Sequence, residues 1–70
     1  MEVKSEIAGK VWQIVGKPGD AVAEDQEIVI LESMKMEIPI TAPAAGRIES
    51  ILVAEADNVQ EGQIVAILQV

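Results

Sequence analysis

With no cysteine and no histidine, the chain has no thiol nucleophile, no imidazole base, no disulfide and no Cys/His metal site. Among the side chains that remain, one lysine stands in a distinctive setting. Lys35 lies between Met34 and Met36 in the run Glu32-Ser33-Met34-Lys35-Met36-Glu37. A lysine amine is a nucleophile on a long flexible stem, and it is acylated readily once deprotonated. Lysine amines are almost wholly protonated at neutral pH, and the chain has no recognisable acid–base pair to take the proton. Lys35 therefore offers an amine that nothing else in the chain is placed to activate. Taken alone, the same residues also have a plain structural reading. A lysine at a turn is a solvated charge, and paired methionines are core filler.

The elements that must hold this lysine read as strands. Candidates are Glu2–Ile7, Val11–Val15, Ile28–Ser33, Met36–Ile40, Arg47–Val53 and Ile64–Gln69, with short strands at Val22 and Val59. Ile28–Ser33 enters the motif and Met36–Ile40 leaves it, so only Met34 and Lys35 turn the chain. Two-residue hairpin turns need positive φ and favour Asn-Gly or Asp-Gly. Met-Lys breaks that rule, and a broken local rule at a tight tip points to function there. Met36, Ile38 and Ile40 alternate with Glu37, Pro39 and Thr41, a one-sided strand. Pro39 lacks an amide hydrogen, which places that strand at a sheet edge.

The chain also repeats. Gly9–Glu32 aligns without gaps on Gly46–Gln69, an offset of 46 − 9 = 37 residues. Gly9/Gly46, Ile14/Ile51, Asp20/Asp57, Val22/Val59, Glu24/Glu61, Gln26/Gln63, Ile30/Ile67 and Leu31/Leu68 are identical pairs. Polar positions match as well as apolar ones, which argues against chance. Two copies are too few for a solenoid and suit a closed domain with an internal two-fold.

Seventy residues make a single small domain, Met1–Val70. Half of them are hydrophobic, with Trp12 the one aromatic, and the abundance of Ile and Val favours strands. The formal net charge is −7, which excludes nucleic acid and disfavours an anionic membrane surface. No apolar run approaches a membrane span, and Met1-Glu2-Val3-Lys4-Ser5-Glu6 is unlike a signal peptide. A soluble, acidic, cytoplasmic, monomeric β domain without catalytic groups is expected.

Glu32-Ser33-Met34-Lys35-Met36-Glu37 resembles the attachment motif of the biotinyl/lipoyl family, in which Met-Lys-Met holds the acceptor lysine of biotin carriers. Gly19-Asp20-Ala21-Val22 and Asn58-Val59-Gln60-Glu61-Gly62 resemble that family's paired Gly-Asp-x-Val and Val-x-x-Gly segments. Ile40-Thr41-Ala42-Pro43-Ala44-Ala45-Gly46 resembles its Ala-Pro-x-x-Gly loop. Two departures bear on turn geometry: Asp25 stands where the family has Gly, and Ala56 replaces the Gly before Asp57. The resemblance implies an all-β fold, a flattened barrel-sandwich of two four-stranded antiparallel sheets related by a pseudo-two-fold, with Lys35 at a hairpin tip. The short Gly16–Ala21 connection leaves no space for the thumb insertion of some bacterial carriers.

It further implies that Lys35 is the biotinylation site, with Met34 and Met36 as flanking recognition residues. Biotin protein ligase would supply biotinyl-adenylate, from which Lys35 displaces AMP. The implied partners are then a biotin carboxylase and a carboxyltransferase that passes the carboxyl group to an acyl-CoA, pyruvate or urea. Tethering raises the effective concentration at both sites. Glu32 and Glu37 have two readings, as a docking feature for a basic ligase surface or as solvated strand-end charges. Two rivals share the fold: a lipoyl carrier domain, and an unmodified interaction module of the hybrid-motif kind.

Overall fold

Each half of the repeat supplies strands whose inner faces it cannot cover by itself. The computed structural model describes all residues, Met1–Val70, as eight strands: β1 Glu2–Lys4, β2 Gly9–Ile14, β3 Ala21–Val22, β4 Glu27–Ser33, β5 Met36–Thr41, β6 Gly46–Ile51, β7 Asn58–Val59 and β8 Ile64–Gln69. They form two four-stranded sheets, ordered β1-β8-β6-β3 and β5-β4-β2-β7, with every pairing antiparallel. Each sheet takes two strands from β1–β4 and two from β5–β8, so the halves interlock. The expected all-β sandwich of two antiparallel sheets is the observed architecture.

The repeat seen in sequence is an exact correspondence of pairings. Val11↔Leu31 and Ile14↔Val29 between β2 and β4 recur as Ile48↔Leu68 and Ile51↔Ala66 between β6 and β8. Val3↔Ala66 between β1 and β8 recurs as Ile40↔Val29 between β5 and β4. The register slips at Trp12 in β2 and again at its counterpart Glu49 in β6. These paired bulges sharpen the local twist.

The core obeys the same rule. Sixteen residues are buried, and they form eight pairs at the 37-residue offset. Six are hydrophobic with hydrophobic: Val3/Ile40, Val11/Ile48, Val22/Val59, Ile28/Val65, Val29/Ala66 and Leu31/Leu68. The other two are Ser5/Ala42 and Gly16/Val53. A side chain at Gly16 would come within 2.5 Å of Ile48 Cδ1. The first half therefore combines Gly16 with the larger Ile48, where the second combines Val53 with the smaller Val11. Close packing enforces this exchange of volume. Ser5 satisfies its buried hydroxyl locally, donating to Ile7 O and accepting from Ile7 N. Its backbone bonds to Gln63 O and Gly62 N, in the turn just before β8, and β1 ends at Lys4 and not at the expected Ile7.

The connections are duplicated as well. Asp20 Oδ2 accepts from Lys17 N at 3.0 Å, and Asp57 Oδ2 from Ala54 N at 2.9 Å. Gln26 and Gln63 accept from Ala23 N and Gln60 N in the same way. Each turn closes with a backbone bond, Asp20 N to Lys17 O and Asp57 N to Ala54 O. The third residue of each has positive φ, 93° at Gly19 and 73° at Ala56. Asp25 and Gly62, at 69° and 82°, form the second such pair. The departures at Asp25 and Ala56 therefore leave the turns unchanged. Asp tolerates the left-handed region through its short polar side chain, whereas Ala bears its steric cost outright.

Replacing Ala56 by Gly is expected to stabilise the fold by about 1 kcal/mol, or about 4–8 °C in Tm for a chain of this size. Gly19→Ala, at a position with nothing within 4 Å of the added methyl, should lower Tm comparably. Thermal melts of the two variants check both signs.

Candidate functional site

The ladder between β4 and β5 runs to its last pair, Ser33↔Met36, and leaves Met34 and Lys35 as the whole turn. Both take left-handed backbone conformations, φ 53° and 63°. This is the type I′ pattern, whose twist matches that of the flanking strands. Neither residue favours it, so the paired strands hold the turn in place. The strands are anchored by Ile28, Val29 and Leu31 in β4 and Ile40 in β5, all buried. β5 is an edge strand, as Pro39 foretold.

Exposure rises along β5 from Ile40, 7%, through half-buried Ile38 to Met36, 61%. Met34 is 90% exposed and Lys35 is exposed. The core-filler reading of the methionines is thereby corrected: the hairpin carries them beyond the end of the core, and neither belongs to it. Lys35 makes no ion pair or side-chain hydrogen bond, the one salt bridge being Lys4–Glu2 at 3.9 Å. Beneath the tip, Glu32 is directly opposite Glu37 and Lys10 opposite Glu32. Like charges facing each other across a ladder repel, and neither carboxylate forms a salt bridge. The strand spacing placed both glutamates near the tip in the sequence, but their direct opposition required the register.

The internal symmetry isolates this site. Residues 1–33 have counterparts at 38–70, because 1 + 37 = 38 and 33 + 37 = 70. Met34, Lys35, Met36 and Glu37 lie between the two copies, at the centre of the repeat. Surface depressions occur elsewhere, one of them lined by Lys10, Val11, Trp12, Glu32, Glu55 and Ala56, and none includes Met34, Lys35 or Met36. No group of three or more Asp or Glu side chains is placed to hold a metal ion. The tip offers one chemical function, an unpaired primary amine on a rigid stalk, and it suits a covalently attached group better than an enclosed ligand.

Comparisons with known proteins give the class of this sandwich with its lysine-tipped hairpin. The family model described as "Biotin-requiring enzyme" (biotin/lipoyl) matches residues 1–68, and the chain belongs to the biotin/lipoyl attachment family. It is 44% identical over 64 residues to a biotin/lipoyl attachment protein of Bacillus subtilis, covering 91% of this chain and 88% of the relative. It is 37% identical over 67 residues to the biotinylated protein TB7.3 homolog of Mycobacterium leprae, covering 96% and 94%. Among solved structures, the Kluyveromyces lactis urea carboxylase superposes with a TM-score of 0.94 at 32% identity, over 99% of this chain and 6% of that one. The lipoyl domain of the Azotobacter vinelandii 2-oxoglutarate dehydrogenase complex gives 0.72 at 35% identity, over 89% and 78%.

Substituting Met34-Lys35 by Asn-Gly should raise stability by about 1–2 kcal/mol, because both left-handed positions are then relieved. The same change removes the amine. A higher melting temperature in the double variant would show that the native turn residues are kept at the expense of stability.

Proposed function

We propose that the chain is a biotin carboxyl carrier, with biotin joined through an amide to Lys35. The observation that carries this reading is the Met34-Lys35-Met36 turn, which projects an unpaired amine from a fold that superposes on a urea carboxylase over nearly its whole length. The relative described as a biotinylated protein, matched over almost its full length, supports biotin as the group. The domain acts as a carrier and supplies no catalytic residue.

Biotin protein ligase presents biotinyl-adenylate, and Lys35 Nζ attacks its acyl carbon. The N–C amide bond forms, the bond from that carbon to the phosphate oxygen breaks, and AMP leaves. The ammonium proton must be taken by the ligase or by solvent, since no residue of this chain contacts Nζ as a base. The step removes one positive charge and changes the formal net charge from −7 to −7 − 1 = −8. Glu32 and Glu37, opposed to each other and in no salt bridge, offer a basic ligase surface a place to dock. When bound, biotin supplies the group that accepts and releases the carboxyl between a biotin carboxylase and a carboxyltransferase. The hairpin keeps that arm clear of the sandwich, and tethering raises its effective concentration at both partner sites.

Likeness to a lipoyl domain at 35% identity sustains one rival, attachment of lipoate to the same lysine. Intact mass of protein from cells fed both biotin and lipoate separates the two, and an unmodified mass would exclude both.

Two variants test the assignment. Lys35→Arg should melt like the wild type and take up no biotin, although Lys4, Lys10 and Lys17 remain; streptavidin binding by this variant would refute it. The exchange Met34→Lys with Lys35→Met keeps composition and charge and moves the amine by one residue. A misplacement of about 1 Å can cost roughly a hundredfold in rate, so biotinylation should be far slower with the melting curve unchanged.

A further inference from the structure

The chain contains no cysteine and three methionines, so its only sulfur atoms are thioethers, and two of the three flank Lys35. Met34 and Met36 are 90% and 61% exposed. Neither belongs to the hydrophobic core or packs against it. The third, Met1, is 52% exposed. It occupies the position equivalent to Ile38 (1 + 37), with its ammonium donating to Leu68 O at 2.7 Å, so it belongs to the β1–β8 edge and not to the hairpin.

Resting on the reading of Lys35 as the biotin acceptor, we propose that Met34 and Met36 form a reversible oxidation site that controls acylation of Lys35. The oxidant is a hydroperoxide, hydrogen peroxide being the simplest. A sulfur lone pair attacks one peroxide oxygen, the O–O bond breaks, an S–O bond forms and water leaves. The sulfur loses two electrons and the peroxide gains them. A dithiol-dependent methionine sulfoxide reductase returns the thioether, releasing the oxygen as water and forming a disulfide in the reductant.

Three features of the tip make the modification consequential. First, exposure governs access, and no cysteine competes for the oxidant. Second, oxidation turns a flexible apolar side chain into a polar, chiral one. The sulfoxide oxygens arise one residue to either side of the amine. There they accept hydrogen bonds from the Lys35 ammonium, favouring the charged form over the nucleophile and removing the apolar flanks that a ligase site desolvates. Third, the damage that sulfoxides cause in cores does not arise, since neither side chain contributes to the core. Oxidation therefore changes recognition and leaves the fold intact.

The test uses the unbiotinylated full chain, treated with hydrogen peroxide and then freed of it before purified biotin protein ligase, biotin and ATP are added. Peptide mapping by mass locates each added oxygen, and a thermal melt reports the fold. The expected result is an unchanged melt with biotin incorporation slowed by roughly tenfold or more, less than or comparable to the loss from misplacing the amine. Repair by methionine sulfoxide reductases should restore the untreated rate, and Met34→Leu with Met36→Leu should make the rate insensitive to peroxide. An oxidised tip that is biotinylated at the untreated rate overturns the proposal, as does a slowing that persists after complete repair. Untreated protein that accepts no biotin would instead refute the carrier assignment itself, so the two failures are distinct.

Discussion

Burial across the interface between the two sheets is the interaction on which everything else rests. Neither half of the repeat can close its own core, because each sheet is assembled from two strands of each half. A chain this short buries a modest share of its surface, and it has no disulfide to compensate. The eight symmetric pairs of buried residues answer that constraint. Where one pair departs from symmetry the neighbouring pair corrects it, as Gly16 beside Ile48 balances Val53 with Val11. Stability is thereby concentrated in the ladders and the core, away from the turn that carries Lys35.

That separation lets the tip be chosen for chemistry. Met34 and Lys35 hold left-handed conformations that Asn and Gly would adopt at lower cost, yet the β4–β5 ladder closes on them without a bulge between Val29 and Ser33. The rigid stalk fixes where the stem of Lys35 begins, and the exposed methionines leave its end unencumbered. The opposed Glu32 and Glu37 contribute repulsion across the ladder beneath the tip. The hairpin tip is thus a place where local preference yields to the exposure of Lys35, while the rest of the chain follows local rules closely.

Much of this was legible in the residues. The 37-residue offset carried the pseudo-two-fold, the count of two residues between strands carried the hairpin, and Pro39 carried the edge position of β5. Other features depended on three-dimensional context. Ser5 gave no signal that its hydroxyl would capture Ile7 and end β1 early. The bulges at Trp12 and Glu49 arise from twist in a closed sandwich and have no residue signature in common. Asp25 and Ala56 suggested altered turns, but the capping by Gln26 and Asp57 and the backbone bonds to Ala42 and Val11 impose the same φ on either residue type. The methionines were ambiguous because an apolar residue at a strand end is inside or outside according to where the core stops, which the strand pattern alone does not say.

The four residues between the two copies, Met34 to Glu37, have a topological meaning. They join β4 to β5, the pair that the 37-residue offset relates to β8 and β1, which also run antiparallel. The ladders thus make the fold in effect a ring of two similar arcs. Circular permutation that bridges Val70 to Met1 and cuts the ring at another turn would keep every ladder that supports Lys35. Presentation of the amine is a property of the ring of ladders as a whole.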